Sequence, residues 1–252
     1  MNLILKLPVS IGLTLMAFQT FGQALTAREI VKKSDDLMQG ESSVSTMTME
    51  IVRPTWNRSI SFKSWSKGRD KSVTLITEPA RDKGQSFLKV GNEMWSWNPS
   101  INRLIKLPPS MMSQGWMGSD YTNDDILKES SIVNDYEHTF AGEKVIDGYS
   151  CYIIDLKPKA DAAVVWGKIT TYITKESFLN LSADFFDDEG VLVRTHLLSE
   201  IKKMHDRTLP TRIEVIPAEE PNNKTIVVIQ TLEFNTNLDD GFFSQQNMKR
   251  LR

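Results

Sequence analysis

The sequence predicts a mostly β protein built on one strongly curved antiparallel sheet, and three observations carry that expectation. Apolar residues switch from helical spacing to a period of two at about Ser43 and keep it almost to the C-terminus. Short alternating segments are separated by repeated turn signals, which implies serial hairpins. No linker rich in Gly, Pro or Ser divides the chain, so the strands belong to one domain, and a sheet that wide must curl or close because flat sheets expose edges. At 252 residues, with 40% hydrophobic and 25% charged side chains, the composition is that of a globular protein.

Residues 1–24 read as a secretory leader. Lys6 precedes an uncharged apolar run from Leu7 to Phe18, and the small residues Gly22 and Ala24 offer a cleavage site. A membrane anchor is the alternative, but Pro8, Ser10, Gln19 and Gln23 interrupt the roughly 20 apolar residues that a span needs. Residues 25–252 are then expected to form one exported, soluble domain. Cys151, the sole cysteine, lies far from the cleavage site, so lipid attachment there and an intramolecular disulfide are both unavailable. Its setting, Tyr149-Ser150-Cys151-Tyr152-Ile153-Ile154, reads as a strand that buries the thiol as a small hydrophobe.

After the leader, Thr26-Ala27-Arg28-Glu29 is a capping box, and Ile30, Val31, Leu37 and Met38 recur at helical spacing until Gly40. Met47, Met49 and Ile51 then share one face of a strand, and Ile60 and Phe62 alternate with polar residues on the next. Further strands are expected at about 70–77, 86–91, 93–98, 102–107, 132–140, 149–156, 164–174, 178–186, 191–201, 211–216 and 225–234. Turns fall at Asn98-Pro99-Ser100-Ile101-Asn102, Asp147-Gly148 and Asp187-Asp188-Glu189-Gly190, whose residue types tolerate the backbone angles required.

One segment breaks the pattern. Pro108 and Pro109 end a strand, and a stretch containing Met111, Met112, Gly115, Trp116, Met117, Gly118, Ser119, Asp120 and Tyr121 leads to Thr122 and Asp125, a capping box that opens a short helix. Trp95 and Trp97 lie two apart on a strand and share a face, with Met94 on the opposite one, so both faces of that strand need cover. Two readings stay open for these residues. They form an ordinary sandwich core, or the tryptophans join the Met-rich segment around a cavity whose flexible thioethers repack around ligands of variable shape.

Several function classes lose their usual handle. The formal charge is −2, from 30 basic and 32 acidic residues, and no long basic run exists to follow a phosphate backbone, which argues against nucleic acid. The G-x-S-x-G, G-x-x-x-x-G-K-[ST], H-E-x-x-H and G-x-G-x-x-G signatures are absent, and no cofactor is expected. His138, His196 and His205 are scattered without the spacing of metal ligands and are expected to be solvated or hydrogen-bonded; no metal site is expected. Asp120, Asp124 and Asp125 resemble a carboxylate cluster, yet carboxylates at a helix start are better explained as caps facing its positive end.

The stretch Gly91-Asn92-Glu93-Met94-Trp95-Ser96-Trp97-Asn98-Pro99, followed by Arg103, Lys106-Leu107-Pro108-Pro109-Ser110, Met117-Gly118-Ser119-Asp120-Tyr121 and Asp125, resembles the outer-membrane lipoprotein-sorting, or LolA-like, family. The narrower likeness is to its branch associated with RND-type exporters. Arg207 to Ile213, Thr225 to Leu232 and the ending Asn235 to Ser244 extend the resemblance across nearly all of residues 25–252. It implies an incomplete antiparallel β-barrel with a helical lid over an apolar cavity. It also implies a periplasmic, non-catalytic carrier of lipid or lipoprotein acyl chains, loaded by an inner-membrane transporter and unloaded at an outer-membrane acceptor. On this reading Trp95 and Trp97 line the cavity, and Met111, Met112, Trp116, Met117 and Tyr121 form the lid. Pro108, Pro109, Gly118, Ser119, Asp120 and Asp125 shape it. An accessory or sensor subunit docking to an RND-type exporter is the second reading. A hydrolase using Asp120 and Asp125 is the third.

Overall fold

The computed structural model of the chain describes residues 24–111, 114–127, 131–162 and 164–252. The leader expected over residues 1–24 lies, apart from Ala24, outside the described residues, and so does Met112.

Helix α1 (Ala27–Met38) opens on the expected capping box: Glu29 N donates to the Thr26 hydroxyl at 3.2 Å, and Thr26 N donates back to the Glu29 carboxylate at 2.8 Å. Thirteen strands follow: β1 (Ser42–Arg53), β2 (Trp56–Lys67), β3 (Lys71–Glu78), β4 (Ser86–Val90), β5 (Glu93–Asn98), β6 (Arg103–Lys106), β7 (Tyr136–Ile146), β8 (Tyr149–Pro158), β9 (Lys168–Thr174), β10 (Asn180–Phe186), β11 (Leu192–Met204), β12 (Arg207–Pro217) and β13 (Lys224–Phe234). Among the described residues there are also two short α-helices, α2 (Asn123–Leu127) and α3 (Gln245–Met248). The turns carry the backbone their residue types permit, with Asn102 at φ 48°, Asp147 and Gly148 at 48° and 83°, and Gly190 at 81°.

All strands join one antiparallel sheet in the order β6-β5-β4-β3-β2-β1-β13-β12-β11-β10-β9-β8-β7. Two meanders are stitched together where β1 pairs with β13, and the sheet stays open, with β6 and β7 as its edges. These edge strands are consecutive in sequence. Between them, residues 116–126 pack on the concave side through Trp116, Met117, Tyr121 and Ile126 and form the lid.

The concave face is filled differently in its two halves. Under β7–β10, α1 presses Ala27, Ile30 and Val31 against Tyr136, Ile154, Leu156, Ile169 and Ile173. Under β1–β4 and β13 the lid packs on Met49, Ile60, Phe62, Phe87 and Val227. The convex face of β3–β5 has its own cover: Leu238, Phe242, Phe243, Met248 and Leu251 of the C-terminal segment lie on Val73, Leu88, Trp95 and Trp97, and the Ser86 hydroxyl donates to Met248 O at 2.8 Å.

The strand expectations are met in number and order, but β9 starts at Lys168 rather than 164, β12 at Arg207 rather than 211, and β7 departs most. Residues 132–135 precede β7, which instead runs on to Ile146 through a bulge between Phe140 and Gly142. Ala141-Gly142 has the composition of a strand end, but the bulge takes up Ala141, and Gly142, at φ 142°, resumes the ladder opposite Ile153. Cys151 is fully buried and unpaired, and burial pushes its thiol pKa up.

Candidate functional site

Between the concave face and the lid lies a cavity of about 350 Å³. Met47, Met49, Val227 and Ile229 form its sheet wall, and Trp116, Tyr121 and Ile126 close it from the lid side. Trp116 is buried against Phe62 and Phe87, with edge-on ring contacts at 5.7 and 5.5 Å. Tyr121 meets the ring of His196 at 5.8 Å, and burial raises its hydroxyl pKa.

The lid holds its shape through its own backbone. Trp116 N donates to Tyr121 O at 2.6 Å, Asn123 N to Gln114 O at 2.8 Å, and the buried Ser119 hydroxyl to Trp116 O at 2.7 Å. Gly115 has no room for a side chain, since a Cβ there would lie 2.7 Å from Ser119 O. Met117 and Gly118 take left-handed backbone at φ 55° and 80°, which makes the turn tight. The capping box read at Thr122 and Asp125 is present, with Thr122 N donating to Asp125 Oδ2 at 2.7 Å and Asp125 N to the Thr122 hydroxyl at 3.1 Å.

Three arginines of the sheet latch this segment. Arg53 grips the Asp120 carboxylate with two donors, at 2.9 and 3.1 Å, and the Thr225 hydroxyl donates to the same carboxylate at 2.7 Å. Arg58 donates to Met117 O at 3.2 Å while paired with Asp82 at 2.7 Å. Arg194, 5% exposed, makes a two-donor pair with Asp125, both bonds 2.7 Å, and donates to Asp120 O at 3.2 Å. Its guanidinium stacks 4.5 Å from the Trp166 ring and 4.8 Å from that of Phe185. Burial drives the Asp125 carboxyl upward, but the hydrogen bonds and charge of Arg194, together with Thr122, outweigh it and hold the pKa below the usual carboxylate value.

The placement of the predicted residues is therefore mixed. Trp116 and Tyr121 line the cavity, and Gly118, Ser119, Asp120 and Asp125 shape and fasten the lid. Met117 packs half-buried at its edge, and Met111 contributes its carbonyl, which accepts from the Asn123 amide at 2.9 Å, without lining the cavity. Pro108 is exposed beside the strand end, and Pro109 opens a 3₁₀ turn. Met112 lies outside the described residues. Trp95 and Trp97 require a correction: their side chains lie on the convex face under the C-terminal segment, because the alternation that pairs them with Leu88 and Ser86 directs Met94 inward instead. His196 also departs from expectation. It is enclosed by Tyr121 and Phe185, its Nε2 has no hydrogen-bond partner among the described residues, and burial lowers its pKa to about 3, so it is neutral.

The latching arginines were not read from the sequence. Arg194 had a visible signal, a lone charge inside Val191-Leu192-Val193-Arg194-Thr195-His196-Leu197-Leu198, because a charge drawn into an apolar strand has to be paired. Arg53 and Arg58 flank a hairpin turn and look like ordinary surface cations until the lid is placed over them.

The site's two central carboxylates, Asp120 and Asp125, are paired with arginines, and among the described residues no group of three or more His, Cys, Asp or Glu side chains is arranged to bind a metal ion. No helix among the described residues is long and apolar enough to cross a membrane.

A lidded, open β-shell of this kind defines the LolA-like fold. Three solved structures share it: a DUF1329 family protein from Desulfovibrio piger (TM-score 0.80, 24% identity, covering 88% of this chain and 97% of that one), an outer membrane lipoprotein-sorting protein domain from Vibrio parahaemolyticus (0.77, 19%, 89% and 98%), and a LolA superfamily protein from Nitrosomonas europaea (0.75, 24%, 88% and 99%). A family model described as an uncharacterized protein-like group matches residues 68–250, and the chain belongs to that family. No curated protein matches the sequence.

Proposed function

We propose that this protein is a periplasmic carrier that takes acyl chains of a lipid or lipoprotein into the lidded cavity, without chemistry, and moves them towards the outer membrane. The observation that carries this reading is the unfilled space between the curved sheet and a lid held by discrete latches, walled on one side by Met47, Met49, Val227 and Ile229. Exposing an acyl chain to water costs about 0.8 kcal/mol per methylene, so a 16-carbon tail represents roughly 12 kcal/mol that a soluble carrier must largely replace. Met47, Met49, Val227 and Ile229 supply flexible or branched apolar surface for that purpose.

The cavity lies near the lower end of the ~300–1,000 Å³ typical of ligand pockets, so a long tail requires the lid to shift outward. Release then follows from the reverse motion: Trp116, Tyr121 and Ile126 settle back onto the wall, and their burial offsets part of the cargo affinity. The shared fold with structures described as lipoprotein-sorting supports this assignment, as does the leader-like sequence at residues 1–24. An inner-membrane transporter that loads the carrier and an outer-membrane acceptor that unloads it belong to the same proposal, as does membership of the branch associated with RND-type exporters. Extraction of the purified protein followed by lipid mass spectrometry is the test. A lipid recovered in near-stoichiometric amount is expected; no bound lipid, together with no uptake of a fluorescent fatty acid, would remove the reading.

A further inference from the structure

The cavity is not uniformly apolar, and the change in character follows the strand register. Across β1, β2 and β3 the concave residues fall into rows: Ser43, Ser66 and Ser72 face one another, then Ser45, Ser64 and Thr74, and then abruptly Met47, Phe62 and Ile76. The first row continues onto β4 as Lys89, the partner of Ser72. Two rows of hydroxyls, the first ending in the Lys89 ammonium and the second in Phe87, thus give way at the next row to large apolar groups. The first five hydroxyl residues, Thr74 and Lys89 all line the cavity, as does Arg69 at the β2–β3 turn.

Such a stripe is costly inside a core. Hydroxyls transferred away from water need partners, and here some find one another, Ser43 with Ser66 at 2.7 Å and Ser64 with Thr74 at 3.1 Å. A purely apolar guest could use the same space with valines in place of the serines, since the neighbouring β13 wall of Val227, Ile229 and Leu232 is apolar throughout. Charge is also distributed unevenly. Arg69, Lys71 and Lys89 line the hydroxyl end, whereas Asp125, the one lining carboxylate among the described residues, lies at the other end, bound to Arg194. Arg69 and Lys71 have carboxylate partners in Asp35 and Asp240, neither of which lines the cavity, and Lys89 Nζ donates to Arg69 O at 2.7 Å.

Building on the carrier reading, the geometry points to a more specific guest: a single-chain amphiphile with an anionic, hydrogen-bond-accepting head. The head lies among Ser45, Ser64, Ser72 and Lys89, and the tail runs past Met47 and Met49 to Trp116 and Tyr121. Hydroxyls and ammonium groups donate well to carboxylate or phosphate oxygens, and the apolar rows exclude the head from the lid end.

Competition of a fluorescent fatty acid from the purified protein by palmitate, monohexadecyl phosphate and hexadecanol, each below its aggregation threshold, tests this. Both anions are expected to compete at concentrations at least tenfold lower than the alcohol, and their relative strength tells carboxylate from phosphate recognition. Lys89→Gln is expected to bring the anion-to-alcohol ratio down to about threefold or less. Ser72→Val, on the same row, gives a second, smaller loss of the ratio should the lysine variant fold poorly. Orientation is read independently from stearic acids spin-labelled near the head or near the chain end. The chain-end label should quench the fluorescence lost in Trp116→Phe more strongly. Equal potency of alcohol and anions, or stronger quenching by the head-proximal label, overturns this inference while leaving the carrier reading intact. Failure of all three competitors and of the fluorescent probe to bind overturns the carrier reading itself.

Discussion

Replacing Arg194 with methionine removes the most deeply buried of the three latches and leaves its partner stranded. Arg194 is 5% exposed and gives Asp125 two hydrogen bonds of 2.7 Å, with a further donor to Asp120 O at 3.2 Å. Breaking a buried pair from one side costs about 3–5 kcal/mol, because a desolvated charge is left behind. Methionine fills part of the slot between Trp166 and Phe185, so the loss belongs mainly to Asp125 rather than to a cavity. The lid is fastened at separate points, so the loss is expected to appear first as lid opening, with global unfolding less affected. Hydrogen exchange should show reduced protection at Trp116 N and Asn123 N, whose acceptors are Tyr121 O and Gln114 O, by about two orders of magnitude or more, while Ile154 in the β8 core changes little. Urea titration provides the global measure. The double variant Arg194→Met/Asp125→Leu is expected to recover most of the protection, since an apolar pair of similar volume need not desolvate a charge. Unchanged exchange at Trp116 in the single variant, or a double variant worse than the single, would refute the latch.

Other expectations follow from the same packing. Gly115→Ala places a Cβ 2.7 Å from Ser119 O and should destabilise the lid by about 1–3 kcal/mol, seen as increased acrylamide quenching of Trp116. Trp97→Ala is expected to cost about 3–5 kcal/mol of stability in urea titrations without changing fatty-acid affinity, because Trp97 packs under the C-terminal segment on the convex face. Trp116 is buried against Phe62 and Phe87, so Trp116→Ala should cost a comparable amount of stability but, unlike Trp97→Ala, change fatty-acid affinity. His196 is held neutral with its pKa at about 3 against an ordinary 6.5, so the unfolded chain binds the extra proton between those values. Stability is then whole above pH 6.5 and falls by about 1.4 kcal/mol per unit below it, about 2 kcal/mol by pH 5; His196→Leu should flatten that slope in pH-dependent denaturation.

The β architecture was legible because alternation is a local signal: Met47, Met49 and Ile51 announce their strand without help from any partner. Capping chemistry was equally local, and the boxes at Thr26–Glu29 and Thr122–Asp125 both form. What alternation leaves open is which face of a strand points inward once both are apolar. Trp95, Trp97 and Met94 therefore gave the right requirement, cover on both sides, and the wrong side for the tryptophans, because the cover comes from residues 238–251, far along the chain. Latches share that limit. Arg53 meets Asp120 and Arg194 meets Asp125 only after the lid has packed on the concave face, and nothing near either arginine in sequence marks the encounter. The hydroxyl rows lay in plain sight as Ser43, Ser45, Ser64, Ser66, Ser72 and Thr74, but they become one surface only through the pairing of β1, β2 and β3.

The central claim is that the space beneath the lid accepts a guest, and occlusion of that space tests it most directly. Met47 sits on the wall opposite the lid at the border of the hydroxyl rows, and Met47→Trp puts an indole where a tail would pass. Titration of a fluorescent fatty acid should show saturable, one-to-one uptake by the unaltered protein and at least tenfold weaker uptake by Met47→Trp with an unchanged circular dichroism spectrum. Equal uptake by both would place the ligand elsewhere and contradict the account.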